Sequence, residues 1–160
     1  MIDSAAMSAV PVAAVEILND LLDAELNSVF RFMGEGSPYL SRATAEVRRP
    51  LADMVASSDR RAGEIYSMIE SLGGTPVPRG LRPEEQYLAF LSLKFLLPKL
   101  VTEKELTIRR YENAIAGLKK LPERAGEAIQ LLEGQSGELR SELAILRRAA
   151  DEVVRAAKAK

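Results

Sequence analysis

The sequence predicts an all-α fold, an antiparallel four-helix bundle with a long connector between its second and third helices. Apolar residues recur at helical spacing in four long stretches, and no stretch alternates apolar with polar residues as a half-buried strand would. Two short junctions point to antiparallel neighbours, while one long Gly- and Pro-rich junction separates the two halves. The 160 residues suffice for one domain with a substantial core, so residues 1–160 are read as a single helical domain.

The first helix is expected over 12–34. Pro11 suits its start, Val15, Leu18, Leu22, Val29 and Met33 form its apolar stripe, and Gly34-Glu35-Gly36-Ser37-Pro38 opposes continuation. A second stripe from Val47 through Leu51, Met54, Ile65 and Ile69 to Leu72 predicts a helix over 44–72 that stops at Gly73-Gly74. Pro50 falls either in its first turn or at a kink, because proline lacks an amide proton and its ring crowds the preceding turn. Residues 73–83 form the connector. A third helix over 84–119, bent near Pro98, is followed by a fourth over 122–155. The segment 87–101 is the most apolar in the chain, but it is shorter than the ~20 residues of a membrane helix and contains Lys94 and Lys99. It reads as a buried crossing or a dimer contact.

Composition narrows the chemistry. The 47% hydrophobic and 28% charged residues are those of a packed globular protein. A net charge of -1 gives no general attraction to nucleic acid or anionic lipid, and the basic end from Arg155 to Lys160 reads as a solvated helix terminus. The absence of cysteine removes disulfides, thiolate metal sites and cysteine nucleophiles. The absence of histidine removes the commonest general base near neutral pH and the commonest nitrogen ligand. Any metal would need oxygen ligands. The first residues carry no basic leader and no long apolar run, so a cytoplasmic location is the expectation.

A helix position points inward when its neighbours three, four and seven places away are apolar. Glu25 passes this test, with Leu18, Leu21, Leu22, Val29 and Phe32 around it. Lys104 passes it among Leu97, Leu100, Val101, Ile108 and Tyr111. Isolated charges there are expensive to desolvate, so each needs a partner. Ser58 lies on the second stripe, and Arg61 one turn later either faces inward or snorkels outward. On the fourth helix the inward face is ambiguous. Leu131, Gln135, Glu138, Glu142 and Ile145 form one row, and Leu132, Leu139, Leu143 and Leu146 another. Gly134 and Gly137 in mid-helix each cost about 1 kcal/mol relative to Ala, which points either to close helix contact or a kink, or to tolerated surface positions.

The segment Leu21-Leu22-Asp23-Ala24-Glu25-Leu26 resembles the first-helix ligand segment of bacterioferritins. The ending Leu72-Gly73-Gly74-Thr75-Pro76 is similar to the second-helix ending of bacterioferritin-like and rubrerythrin-like proteins. The resemblance implies a ferritin-like bundle, whose di-iron site uses a Glu on the first and third helices and a Glu-x-x-His pair on the second and fourth. Carried onto this chain, the positions are Glu25, Ser58 and Arg61, Lys104, and Glu138 with Ser141, Glu103 and Glu105 flanking Lys104. Only Glu25 and Glu138 keep a ligand type, and the haem-ligating methionine of some relatives is replaced by Asp59. No metal, haem or other cofactor is expected.

The two acids Glu25 and Glu138 are instead expected to meet Arg61 and Lys104 in a net-neutral cluster, or the two bases to snorkel to solvent separately. The function this implies is a non-catalytic bundle with a structural or protein-interaction role, self-associating as a homo-oligomer such as a dimer. Two alternatives stay open. One is a carboxylate-only oxidoreductase holding iron or manganese through Glu25, Asp59, Glu103, Glu105 and Glu138. The other is a bundle that takes a small apolar ligand between its helices.

Overall fold

The structure, a computed structural model, describes residues 10–28, 30, 47–78, 93–122 and 125–158. Among these residues lie four long α-helices and no strand: α1 (Val12–Leu26), α2 (Arg48–Ser71), α3 (Leu93–Lys119) and α4 (Gly126–Lys158). None is long and apolar enough to cross a membrane among the described residues.

Helix α1 stops well short of residue 34. Asn27 leaves the helix, and its side-chain amide donates to the Asp23 carbonyl (3.0 Å) and the Asp23 carboxylate (2.8 Å), satisfying acceptors at the end of the helix. Phe30 is helical again, and the expected stop at Gly34 to Pro38 lies outside the described residues. Helix α2 begins with Pro50 in its first turn, where a missing amide proton costs no intrahelical bond. It ends in a Schellman motif: Gly74 N–H donates to Ile69 O (3.0 Å), Gly73 N–H donates to Glu70 O (2.9 Å), and Gly73 has a φ of 82°. Gly74 is required for a different reason, since a Cβ there would lie 2.6 Å from a Val15 methyl.

The described part of the connector lies along α1. Asn19 donates to Thr75 O (3.2 Å) and accepts from Val77 N–H (2.8 Å), while Val10 and Val15 lie against Gly73 and Gly74, so chain numbers rise together along α1 and the connector. Residues 84–92 of the expected third helix lie outside the described residues. Helix α3 contains Pro98 within its span. Helix α4 starts at Gly126 rather than at Pro122, with Ala125 O accepting from Ile129 N–H (2.9 Å), and continues past 155 to Lys158. Glu127 in its first turn and Arg155 and Lys158 in its last complement the helix dipole.

Packing is most extensive within the pairs α1–α2 and α3–α4, while α1–α3 and α2–α4 complete the core. Along α3 and α4 the partners run in opposed order: Lys119 with Glu133 (3.4 Å), Glu112 with Arg140 (3.1 Å) and Glu105 with Arg147 (3.7 Å). Gly134 and Gly137 are exposed with open space around them, which excludes close helix contact among the described residues as the reason for them.

The buried apolar residues form two clusters. One gathers Leu18, Leu22, Ile65, Leu118 and Leu132, and the other Phe30, Met54, Leu97, Leu100 and Leu146. A layer of buried polar side chains lies on all four helices between them.

Candidate functional site

Arg61 is the largest fully buried side chain described, at 0% exposure. Helix α2 aims it inward because Met54, Ile65 and Ile69 share its face. All of its terminal atoms find acceptors. Nε donates to Glu25 Oε1 (3.0 Å), Nη1 to Glu142 Oε2 (2.8 Å) and Nη2 to Glu142 Oε1 (3.3 Å). Lys104 Nζ donates to the same Glu142 Oε1 at 2.7 Å, and its ammonium sits 3.9 Å from the centre of the buried Phe30 ring.

Glu25 accepts three bonds: from Arg61, from Tyr111 Oη at 2.9 Å on the same oxygen, and from Ser58 Oγ at 2.8 Å on the other. Tyr111 Oη also lies 3.0 Å from Gln135 Oε1, so two acceptors compete for its single proton. Gln135 in turn donates to Glu64 (3.0 Å) and to the Arg61 carbonyl (3.3 Å), tying α4 to α2. Two carboxylates and two cations thus neutralise one another inside the bundle.

The local electrostatics follow from this arrangement. Burial opposes the charge on Arg61, but the bonds and charges of Glu142 and Glu25 outweigh it and hold the proton more firmly than usual. Burial would likewise raise Glu142, yet the hydrogen bond from Arg61 and the charge of Lys104 keep its carboxyl below the ordinary range. For Lys104 burial wins, and its pKa falls below the ordinary lysine value although Glu142 opposes the fall. Burial and the Glu25 charge push the Tyr111 phenol well up, so it acts as a neutral donor.

Four of the residues singled out from the sequence are brought together: Glu25, Ser58, Arg61 and Lys104. Neither basic side chain snorkels. The other two fall elsewhere. Glu138 has a side chain 40% exposed, pairs with the exposed Arg60, and comes only within 3.7 Å of Arg61. Ser141 is exposed and donates to its own helix at Gly137 O (3.3 Å). The second acid of the cluster is Glu142, one position further on.

The sequence contained a signal for it. Of the six positions three, four and seven places away, Glu142 has four apolar neighbours, Leu139, Ile145, Leu146 and Ala149, and Glu138 has two, Leu131 and Ile145. The frame carried over from the family resemblance favoured Glu138, the neighbouring acid of the same row. Tyr111, Gln135 and Phe30 were also missed as members of the cluster, because each reads from sequence as an ordinary core or helix residue.

Among the described residues no group of three or more acids, histidines or cysteines is arranged to hold a metal ion. At the centre of the polar layer, the acids face cations rather than each other. Glu105 reaches Arg147 at 3.7 Å on the surface. Compared with known proteins, the chain matches no family model, no curated protein and no solved structure.

Proposed function

We propose that the protein is a non-catalytic, ferritin-like antiparallel four-helix bundle in which a buried ion network stands where such bundles hold metals, and that it serves a structural or protein-interaction role. Three features support the architecture: the opposed order of contacts between α3 and α4, the contact of Val15 near the start of α1 with Gly74 just beyond α2, and the connector lying back along α1. The role rests above all on one observation, that Arg61 bridges Glu25 and Glu142 while Lys104 takes a second bond on Glu142, so that the two buried acids are neutralised by side chains.

A buried charge left without its partner is strongly destabilising, whereas a closed network fixes the helices in one register. Such a layer favours a defined scaffold over a reactive centre. Self-association with a second copy is part of this reading. Phe95, 63% exposed in the apolar segment, and the exposed Leu106 and Ile145 support it.

Elemental analysis of protein purified from cultures supplied with iron and manganese tests the proposal. The expected result is no stoichiometric metal. One or two ions per chain, lost on Glu25→Gln substitution, would favour the carboxylate-only metal site instead. Sedimentation at several concentrations tests self-association, and a monomer throughout would remove that part of the reading.

A further inference from the structure

Helices α2, α3 and α4 each carry the polar layer between two apolar stretches. On α2, Leu51 and Met54 belong to the cluster with Phe30, and Ala62, Ile65 and Ile69 to the other. On α3 the change falls at Lys104, between Leu100 and Ile108, and on α4 it falls around Glu142, with Leu139 on one side and Leu146 on the other. The part-buried Val101 packs against both clusters.

The two halves are not equally secured. The half containing Leu18, Ile65 and Leu132 has all four helices, the Schellman ending of α2 and the clamp of Asn19 on Thr75 and Val77. In the other half, among the described residues, α1 has ended at Leu26 and Phe30 beyond it joins the cluster. That half also contains Pro98, which has no amide proton to give to the carbonyl one turn back. A region with a break in a helical hydrogen-bond ladder, and with no counterpart of the Asn19 clamp among the described residues, opens at lower free energy than a region whose ends are tied.

We propose that the polar layer is a boundary of cooperative unfolding, across which the half built on Phe30, Met54, Leu97 and Leu146 opens as a unit while the other half stays folded. This rests on reading the cluster as a structural layer. Apolar contact transmits packing continuously, but across the layer the helices are joined largely through directional bonds, so one side can loosen without dismantling the other.

Native-state hydrogen exchange on the full chain tests it. The amides of Leu100, Leu146 and Ala149 are expected to exchange at least roughly tenfold faster than those of Ile65, Ala114 and Leu132, through an opening that exposes less surface. Ile65→Ala, in the half that stays folded, destabilises the native and the half-open states alike and is expected to accelerate the second set alone. Lys104→Met combined with Glu142→Gln keeps the cluster neutral and leaves Arg61 an acceptor, while making the α3 stripe apolar throughout. That variant is expected to merge the two sets. Equal exchange of both sets in the unmodified chain, equal acceleration of both by Ile65→Ala, or two sets still separate in the double variant would each overturn the proposal. Stoichiometric metal with the two sets distinct would instead sink the functional reading and leave this boundary standing.

Discussion

Arg61 and Glu142 meet fork to fork across α2 and α4, with Nη1 2.8 Å from one carboxylate oxygen and Nη2 3.3 Å from the other. Two parallel bonds of this kind fix orientation as well as distance. Glu142 also carries Lys104, so a single carboxylate holds two cations.

Glu142→Gln therefore leaves Arg61 and Lys104 with Glu25 as their one buried countercharge. The expected loss of stability is about 3–5 kcal/mol, the usual consequence of stranding a buried charge. Glu138→Gln, at a largely exposed pair with Arg60, is expected to change stability by less than about 1 kcal/mol. Urea unfolding of the two variants side by side checks both values, and equal losses would contradict the assignment of Glu142 as the cluster acid.

The same carboxylate sets the response to acid. Its folded pKa lies below the unfolded glutamate value of about 4.3, so its contribution is complete above that value and is lost as pH falls through the folded pKa. Lys104 has the opposite sign. Its folded pKa lies below its unfolded value, so the cost of burying its charge is fully present at lower pH and is relieved as pH rises toward the unfolded value. Unfolding free energy is thus expected to drop on acidification below about pH 5, and to drop less steeply in Glu142→Gln. Denaturation curves across that range would show parallel slopes if Glu142 were not linked to folding.

Glycine substitutions separate positions that sequence alone treats alike. Gly134→Ala and Gly137→Ala each place a methyl group in open space on α4 and are expected to stabilise by up to about 1 kcal/mol. Gly74→Ala is expected to destabilise, because its Cβ would approach two Val15 methyls at 2.6 and 2.8 Å. Thermal unfolding should show the melting temperature rising for the first two and falling for the third.

Tyr111→Phe removes the hydroxyl that links Glu25 on α1 to Gln135 on α4. The expected loss is roughly 1–3 kcal/mol, since the Glu25 carboxylate and the Gln135 carbonyl lose the buried donor they share. Unchanged stability on equilibrium unfolding would show that the phenol is not part of the network.

The helical architecture was legible because stripes at helical spacing occupy long stretches, and because Gly73-Gly74 is a chemical stop with a specific geometry. Helix ends were less so. Nothing at Asn27 competes obviously with the apolar run around it, and its turn rests on a side-chain bond back to Asp23. At the site, Glu25 and Lys104 were readable as charges on apolar stripes, since their own helices identify the inward face. On α4, Glu138 and Glu142 share one row, and the frame carried over from the family resemblance outweighed the more apolar neighbours of Glu142. Whether Arg61 would face inward was not readable from its own helix, because it depended on acids supplied by two other helices.

The most direct test of the central claim is a double-mutant cycle on Arg61→Gln and Glu142→Gln, read by urea unfolding near neutral pH. A buried network predicts that the double variant is more stable than the sum of the single losses implies, by a coupling energy of roughly 1–3 kcal/mol. Additive losses, with coupling near zero, would contradict the account, because two groups that hold each other inside the bundle cannot fail independently.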